Sequence, residues 1–248
     1  MQQAMRRYRL DSGDFKLMKR IFLSDYKVRP DTGADLLPAL KKAIECAGEC
    51  PDVCEIVFEN GVYDIYCNNL TPFDIHISNT HSEEEGKSIT RNFAVLLNGC
   101  KGVTLNGNGA ALRFHGKMSM IGMIGCRDIE IKNFELSAVH PPLTEMTVIS
   151  EGRGYIDCRV VTDSLYRIKN KKVEWYGENF AFSAGVSQLF DPESGITWRS
   201  FGPMQDENAV WEEISNGVLR IHYAEEDVTN PYGAKIGYVF QMRNPFRD

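Results

Sequence analysis

Apolar and polar positions follow three rhythms along this chain. Leu36, Leu37, Leu40, Ile44 and Ala47 recur at helical spacing, which predicts a helix with Asp31 or Thr32 as its N-cap and Pro51 just beyond its end. From Cys54 to Tyr66 the rhythm becomes alternation, which predicts two strands about an Asn60-Gly61 turn. Between Phe93 and Leu136 short alternating strands are separated by Gly and Asn turns, and one pattern occurs twice. Asn98 to Gly107 matches Ile124 to Asn133, 26 positions later, with Cys100 on Cys126, Val103 on Ile129, Leu105 on Ile131 and Gly107 on Asn133. A repeat of this length describes stacked coils, and short strands broken by Gly and Asn turns point to a parallel β-helix. One coil cannot bury its own apolar face, so the copies need each other and further neighbours.

The remaining pattern sets the organisation. Residues 1–29 read as a polar lead-in, with Phe15, Leu17, Ile21 and Phe22 as anchors. Residues 30–140 read as a β-helix cap and first coils. The helix, the strand after it and the Gly61-Val-Tyr turn form a lid over the open end of the first coil. Asn68 to Ile77 continues as strand or turn, and Ser78 to Arg91 is a polar loop. At His140-Pro-Pro the pattern breaks, because two prolines end a strand or a helix. Residues 141–242 then read as successive antiparallel strands. Hairpin signals stand at Glu151-Gly-Arg-Gly and Lys169-Asn-Lys-Lys, and Asn216-Gly217 precedes a further strand. Strands at this spacing predict an inserted antiparallel β-barrel or sandwich. Residues 243–248 turn back towards the β-helix. So few coils leave bare strand edges, so the expectation is the N-terminal part of a longer protein; a complete small protein closed by its barrel is the alternative.

Composition adds little beyond exclusions. The formal charge of −6 supplies no basic footprint, so neither nucleic acid nor an anionic membrane is an expected partner. No apolar run reaches the length of a membrane span. Met1 to Arg20 is basic but lacks an apolar signal-peptide core, so a cytoplasmic location is expected unless the true N-terminus lies upstream. Seven irregularly spaced cysteines argue against a disulfide framework and read as mostly reduced.

At this point a family is recognisable. Asp31-Thr-Gly-Ala through Ala43-Ile-Glu-Cys, followed by Gly61-Val-Tyr-Asp, resembles the N-terminal cap of pectin-lyase-like β-helix proteins. Ile77-Ser-Asn, Val103-Thr-Leu-Asn-Gly-Asn-Gly, Leu112-Arg-Phe-His-Gly, Ile129-Glu-Ile-Lys-Asn-Phe and Glu151-Gly-Arg-Gly-Tyr-Ile-Asp resemble glycoside hydrolase family 110. Each motif is short, and their order along the chain carries most of the weight. The resemblance runs from about Pro30 to Asp248 and covers the first half or less of a family member. It implies a right-handed β-helix with inserted β-barrels. It also implies an exo-acting α-1,3-galactosidase that inverts configuration and cuts terminal galactose from glycans, including blood-group B type glycans. An oligosaccharide or glycan is then the expected partner, with a homodimer left open, and no cofactor or metal is implied. The family's catalytic Asp residues have no counterpart here, so no catalytic residue is assigned and the chain alone is expected to be inactive. Two other readings stand beside this one: a non-catalytic β-helix protein that binds glycans or supports assembly, and another polysaccharide-active β-helix enzyme, such as a pectin-cleaving one.

Inverting hydrolysis needs two carboxyl groups about 6.5–9.5 Å apart, one protonated and one ionised. Asp128, Glu130 and Glu135 on the second coil, with Asp64 and Asp74 earlier, are the carboxyls to consider. Their aligned positions in the first coil carry none: Glu130 falls on Thr104 and Asp128 on Gly102. Solvated outer-face charges account for them better. His115, at a strand end, either hydrogen-bonds a sugar hydroxyl at a rim or satisfies a turn carbonyl, and the second is the simpler role. His115, Arg247 and Asp248 form the substrate-binding set to test. His140 reads as a linker residue, and Arg243 accompanies the chain's return. Cys46, Cys50 and Cys54 are spaced by four, a weak zinc signal without a partnering His, and packing explains them better. Cys100 and Cys126 are expected to stack as small apolar fillers. Asn106-Gly-Asn-Gly lacks the Lys and helix of a phosphate loop and reads as a tight turn. Trp175, Trp198 and Trp211, with Tyr176 and Phe180, read mainly as barrel core rather than sugar platforms.

Overall fold

The computed structural model describes residues 6–9, 15–76, 89–223 and 229–243, and the side chains from residue 18 onward. Most of the expected polar loop at 78–91, the Ile77-Ser-Asn motif and the 244–248 return lie outside the described residues. The fold is mainly β. The chain divides into two compact units, one of residues 1–75 and 90–139, the other of residues 76–89 and 140–247.

The first unit is built mainly from parallel pairings. Its strands are β1 (Arg6–Arg9), β2 (Phe15–Phe22), β3 (Val53–Val57), β4 (Val62–Tyr66), β5 (Thr71–Asp74), β6 (Thr90–Asn98), β7 (Lys101–His115), β8 (Ser119–Ile124) and β9 (Arg127–Ala138), with the helix α1 (Leu37–Gly48) before β3. Strands β2, β3, β7 and β9 run parallel in that order, and β4 joins the far half of β7. A second sheet pairs β6 parallel with β8, while β1–β2 and β5–β6 are antiparallel. The 26-residue repeat is the register of both sheets: Val103 stands opposite Ile129, Leu105 opposite Ile131, and Val95 opposite Ile121. Beyond Asn106 the register shifts, so that Ala110 meets Phe134. The tight turn read from Asn106-Gly-Asn-Gly sits at this shift, with Asn108 and Gly109 at φ 52° and 85°. Gly107 is required by contact instead: a Cβ there would lie 2.4 Å from the Asn133 carbonyl oxygen.

Helix α1 presents Leu37, Leu40, Ala43, Ile44 and Ala47 to a core shared with Cys54, Ile56, Tyr63, Val103, Leu105 and Phe114. Burying each Leu or Ile stabilises by about 1.5–3 kcal/mol, which holds the helix against the stack. The helix start differs from expectation. Leu36 occupies the N-cap, and Asp35 Oδ1 accepts the Leu37 N–H at 3.2 Å. Asp31 instead accepts the Val62 N–H at 2.9 Å, which fastens the preceding loop to β4. The lead-in also differs, because Phe15–Phe22 is a strand of the main sheet and Ile21 lies in the core. Its sequence mixes cations and apolar residues without clean alternation, so its pairing is not visible locally. All seven cysteines are free thiols.

The second unit is antiparallel. Its strands are β10 (Leu143–Gly152), β11 (Tyr155–Val160), β12 (Leu165–Lys169), β13 (Lys172–Gly177), β14 (Phe180–Phe182), β15 (Ser187–Asp191), β16 (Ile196–Ser200), β17 (Val210–Ser215), β18 (Val218–His222) and β19 (Val239–Arg243). Seven of them form an open sheet in the order β16-β15-β19-β10-β11-β18-β17, and β12-β13-β14 form a smaller one. The hairpin at 169–172 turns through Asn170 and Lys171 at φ 49° and 61°, the twist that two-residue hairpins favour. Trp175, Trp211, Leu189, Phe240 and Met242 fill the core. Trp198 departs from the core expectation: it is 38% exposed on the edge strand, with its ring edge-on to that of Tyr238 at 5.8 Å.

Candidate functional site

Parallel register builds the most developed polar face in the first unit. Arg20, Glu55, Thr104 and Glu130 stand opposite one another across β2, β3, β7 and β9. Arg20 Nε donates to Glu55 Oε2 at 2.8 Å, and Asn106 Nδ2 donates to Glu55 Oε1 at 2.9 Å. Asn133 Nδ2 continues the chain to Asn106 Oδ1 at 2.9 Å. At the other end Lys132 Nζ pairs with Glu130 Oε2 at 2.7 Å. A groove of about 630 Å³ lies along this face, lined by Asp52, Glu55, Lys101, Thr104, Asp128 and Glu130 among others. That volume is in the range of small-ligand sites. Strands about 4.8 Å apart place the Glu55 and Glu130 backbones roughly 10 Å apart, with Thr104 between.

Glu55 was not among the carboxyls singled out from the sequence. Its signal was its place in an alternating strand, between the buried Cys54 and Ile56, yet the side chain is itself only 4% exposed. The groove brings Asp128 and Glu130 together, whereas Glu135 is exposed further along β9 and Asp74 accepts the Thr90 hydroxyl at 2.6 Å.

His115 belongs to a second cluster. Strand β4 sets Asp64 opposite Arg113 and Tyr66 opposite His115. Asp64 is 2% exposed, and its Oδ1 accepts from both Arg113 Nε and His115 Nε2 at 2.7 Å. The Nε2 atom must carry a proton to do so. The Tyr66 ring stacks on the imidazole at 4.3 Å. Arg113 holds the Asp64 carboxyl below the usual range; burial opposes this, and His115 adds to it. One face and one nitrogen of His115 are therefore spent inside the fold. Arg247 and Asp248 lie outside the described residues. His140 is half-buried and approaches the Asp163 carbonyl through Nδ1 at 3.3 Å.

These groups offer donors, acceptors and charges to a polar ligand. A general acid needs a carboxyl pushed up, by burial or by a like charge. The carboxyls with a clear shift, Asp64, Glu174 and Asp191, are all held low by their donors. Glu55 and Glu130 each already pair with a cation. The Cys46, Cys50 and Cys54 thiols gather, but burial first, and Cys50 second, pushes Cys54 up to about 12, so a thiolate ligand is disfavoured there.

Comparison with known proteins gives these observations a family context. Residues 144–233, most of the antiparallel unit, match the family model of GLAA-B beta-barrel domain I. The similarity extends across both units. An alpha-1,3-galactosidase A of Bacteroides thetaiotaomicron is 34% identical over 226 residues, which cover 90% of this chain and 38% of the relative. An alpha-1,3-galactosidase A of Streptomyces avermitilis is 26% identical, over 89% of this chain and 37% of its own length. An alpha-1,3-galactosidase B of Bacteroides thetaiotaomicron is 27% identical, over 93% and 37% respectively. The chain is a homologue of the alpha-1,3-galactosidases, and it spans a little over a third of the length of these relatives. The resemblance to α-1,3-galactosidases drawn from the motifs is thus borne out.

Proposed function

We propose that this chain forms part of an inverting, exo-acting α-1,3-galactosidase-like glycoside hydrolase that acts on terminal α-galactosides of glycans. In this reading residues 30–140 supply the cap and first coils of a right-handed parallel β-helix, and residues 141–242 supply an inserted barrel. The acid and base lie elsewhere in the enzyme. The observation that carries the proposal is the continuous 34% identity over 226 residues to an alpha-1,3-galactosidase. Two features support its details. The parallel strands repeat every 26 residues, as coils of a β-helix do. Strands β8 and β9, each with one strand neighbour among the described residues, also leave Met123 58% and Leu136 46% exposed, as surfaces awaiting another coil would be.

The substrate-binding roles of His115, Arg247 and Asp248 are part of the same proposal. His115, held by Asp64, would shape the rim rather than take part in proton transfer. The test compares this 248-residue chain with a polypeptide of the relatives' full length, assayed for galactose release from a terminal α-1,3-galactoside. Release by the longer protein alone is expected, with the β-anomer seen first by NMR. Release by the 248-residue chain would overturn the placement of the acids. A longer protein that cleaves only other linkages would overturn the substrate class.

A further inference from the structure

The outer face of the antiparallel sheet holds a polar row that the hydrolase reading does not use. Arg199 stands opposite Gln188, Gln188 opposite Gln241, and Gln241 opposite Glu145, across the consecutive strands β16, β15, β19 and β10. Opposed residues share a face of the sheet. Their neighbours Leu189, Phe240 and Met146 are fully buried, so the row points outward. At spacings of about 4.8 Å the row spans roughly 14 Å. A cavity of about 190 Å³ opens at its Arg199 end, lined also by Gln188, Gln241 and Arg243, with Leu143 and Val186 as an apolar wall.

The charge balance of this cavity is one-sided. Among the described residues neither Arg199 nor Arg243 has a carboxylate within ion-pair distance. The carboxylate of the row, Glu145, accepts from Gln241 Nε2 at 2.7 Å and does not line the cavity. Two guanidiniums facing one small space repel, and an oxyanion between them relieves this with paired N–H donors. The volume equals that of about six waters, enough for an oxyanion and the ring atoms that carry it but not for an oligosaccharide. The Gln side chains further along the row offer both donors and acceptors, which suits hydroxyls.

We propose that this face is a binding site for an acidic sugar, with its carboxylate or sulfate held between Arg199 and Arg243 and its hydroxyls on Gln188 and Gln241. The site stands on residues of the second unit alone and is independent of the galactosidase reading. Calorimetric titration of the 248-residue chain with galacturonate, galactose 6-sulfate, galactose and sodium sulfate tests it. Galacturonate shares its ring with galactose but carries a carboxylate at C6. Both anionic sugars are expected to bind at least tenfold more tightly than galactose, and less tightly as salt rises. Arg199→Gln and Arg243→Gln should each weaken them about tenfold, the usual cost of losing a hydrogen bond to a charged group. Arg199→Lys keeps the charge without the fork and should lie between, with circular dichroism checking each fold. Equal binding of galactose and galacturonate, no binding of either anionic sugar, or full affinity in the Arg variants would overturn the site. Sodium sulfate binding as well as galactose 6-sulfate would overturn its sugar component.

Discussion

The two copies of the 26-residue repeat carry nearly the same pattern and have very different surroundings. In the first, Val103, Leu105, Ala110 and Leu112 are buried in the core. In the second, the matching Ile129 and Ile131, with Phe134, are only partly buried, and Leu136 is exposed. The side chains are no less apolar. What differs is the number of neighbours: β7 has β3 and β4 on one side and β9 on the other, whereas β9 pairs only with β7 among the described residues. Burial here belongs to the interface between neighbouring strands, not to the strand itself.

The difference can be tested by truncating matched positions. Leu105→Ala removes a core side chain flanked on both edges and should cost about 3 kcal/mol in urea unfolding. Ile131→Ala, one coil later in the same register, should cost about half that, since part of its surface is already in water. Equal costs would mean that the second coil's face is as well covered as the first's.

Gly107→Ala probes the contact between the coils. Its new Cβ would sit 2.4 Å from the Asn133 carbonyl and 2.5 Å from the Phe134 ring, so backbone must move. A loss of about 2 kcal/mol is expected. A neutral result would mean that β9 yields freely, and that the coils are less firmly joined than their pairing suggests.

An effect of similar size is expected where β7 is fastened to β4. Arg113 has Asp64 opposite it on β4, and on its other side it meets Ser137 of β9. Asp64→Asn should cost about 2 kcal/mol at neutral pH, below the usual figure for breaking a buried pair because Arg113 is 47% exposed. The sign follows from the depressed carboxyl. The stabilisation is fully present above the unfolded value of about 3.9 and is lost as pH falls through the lower folded value. The wild type should therefore lose its margin over Asp64→Asn below about pH 4, as judged by melting temperature. A constant margin down to pH 2 would assign the cost to packing instead of charge.

Much of the fold was legible locally. The helix that ends before Pro51, the Cys54–Tyr66 strands, the 26-residue register and the antiparallel run after His140 all follow from spacing and turn residues. The Phe15–Phe22 strand was not legible, because its place is given by pairing with β3, more than 30 residues away. Asp31 looked like a cap because it precedes the helix, but its carboxylate is taken by Val62 across the lid. The site was less legible than the fold. Aligning one coil with the next left Glu130 facing only Thr104, and Glu55 entered the row because the cap strand β3 joins the same sheet. Likewise Arg199 and Arg243 are 44 positions apart and face one cavity only through the strand order β16-β15-β19.

By itself the sequence determined which residues share a face, where the chain turns and what family the coils resemble, because alternation, repeat length and turn chemistry are properties of neighbouring residues. Only the tertiary structure decided which of two equivalent repeats is buried, which acids are already paired and which cations have no carboxylate partner among the described residues. Those outcomes depend on strands brought side by side from distant parts of the chain, where the environment of a charge or a methyl group is set by what lies across a 5 Å gap and not by what precedes it in sequence.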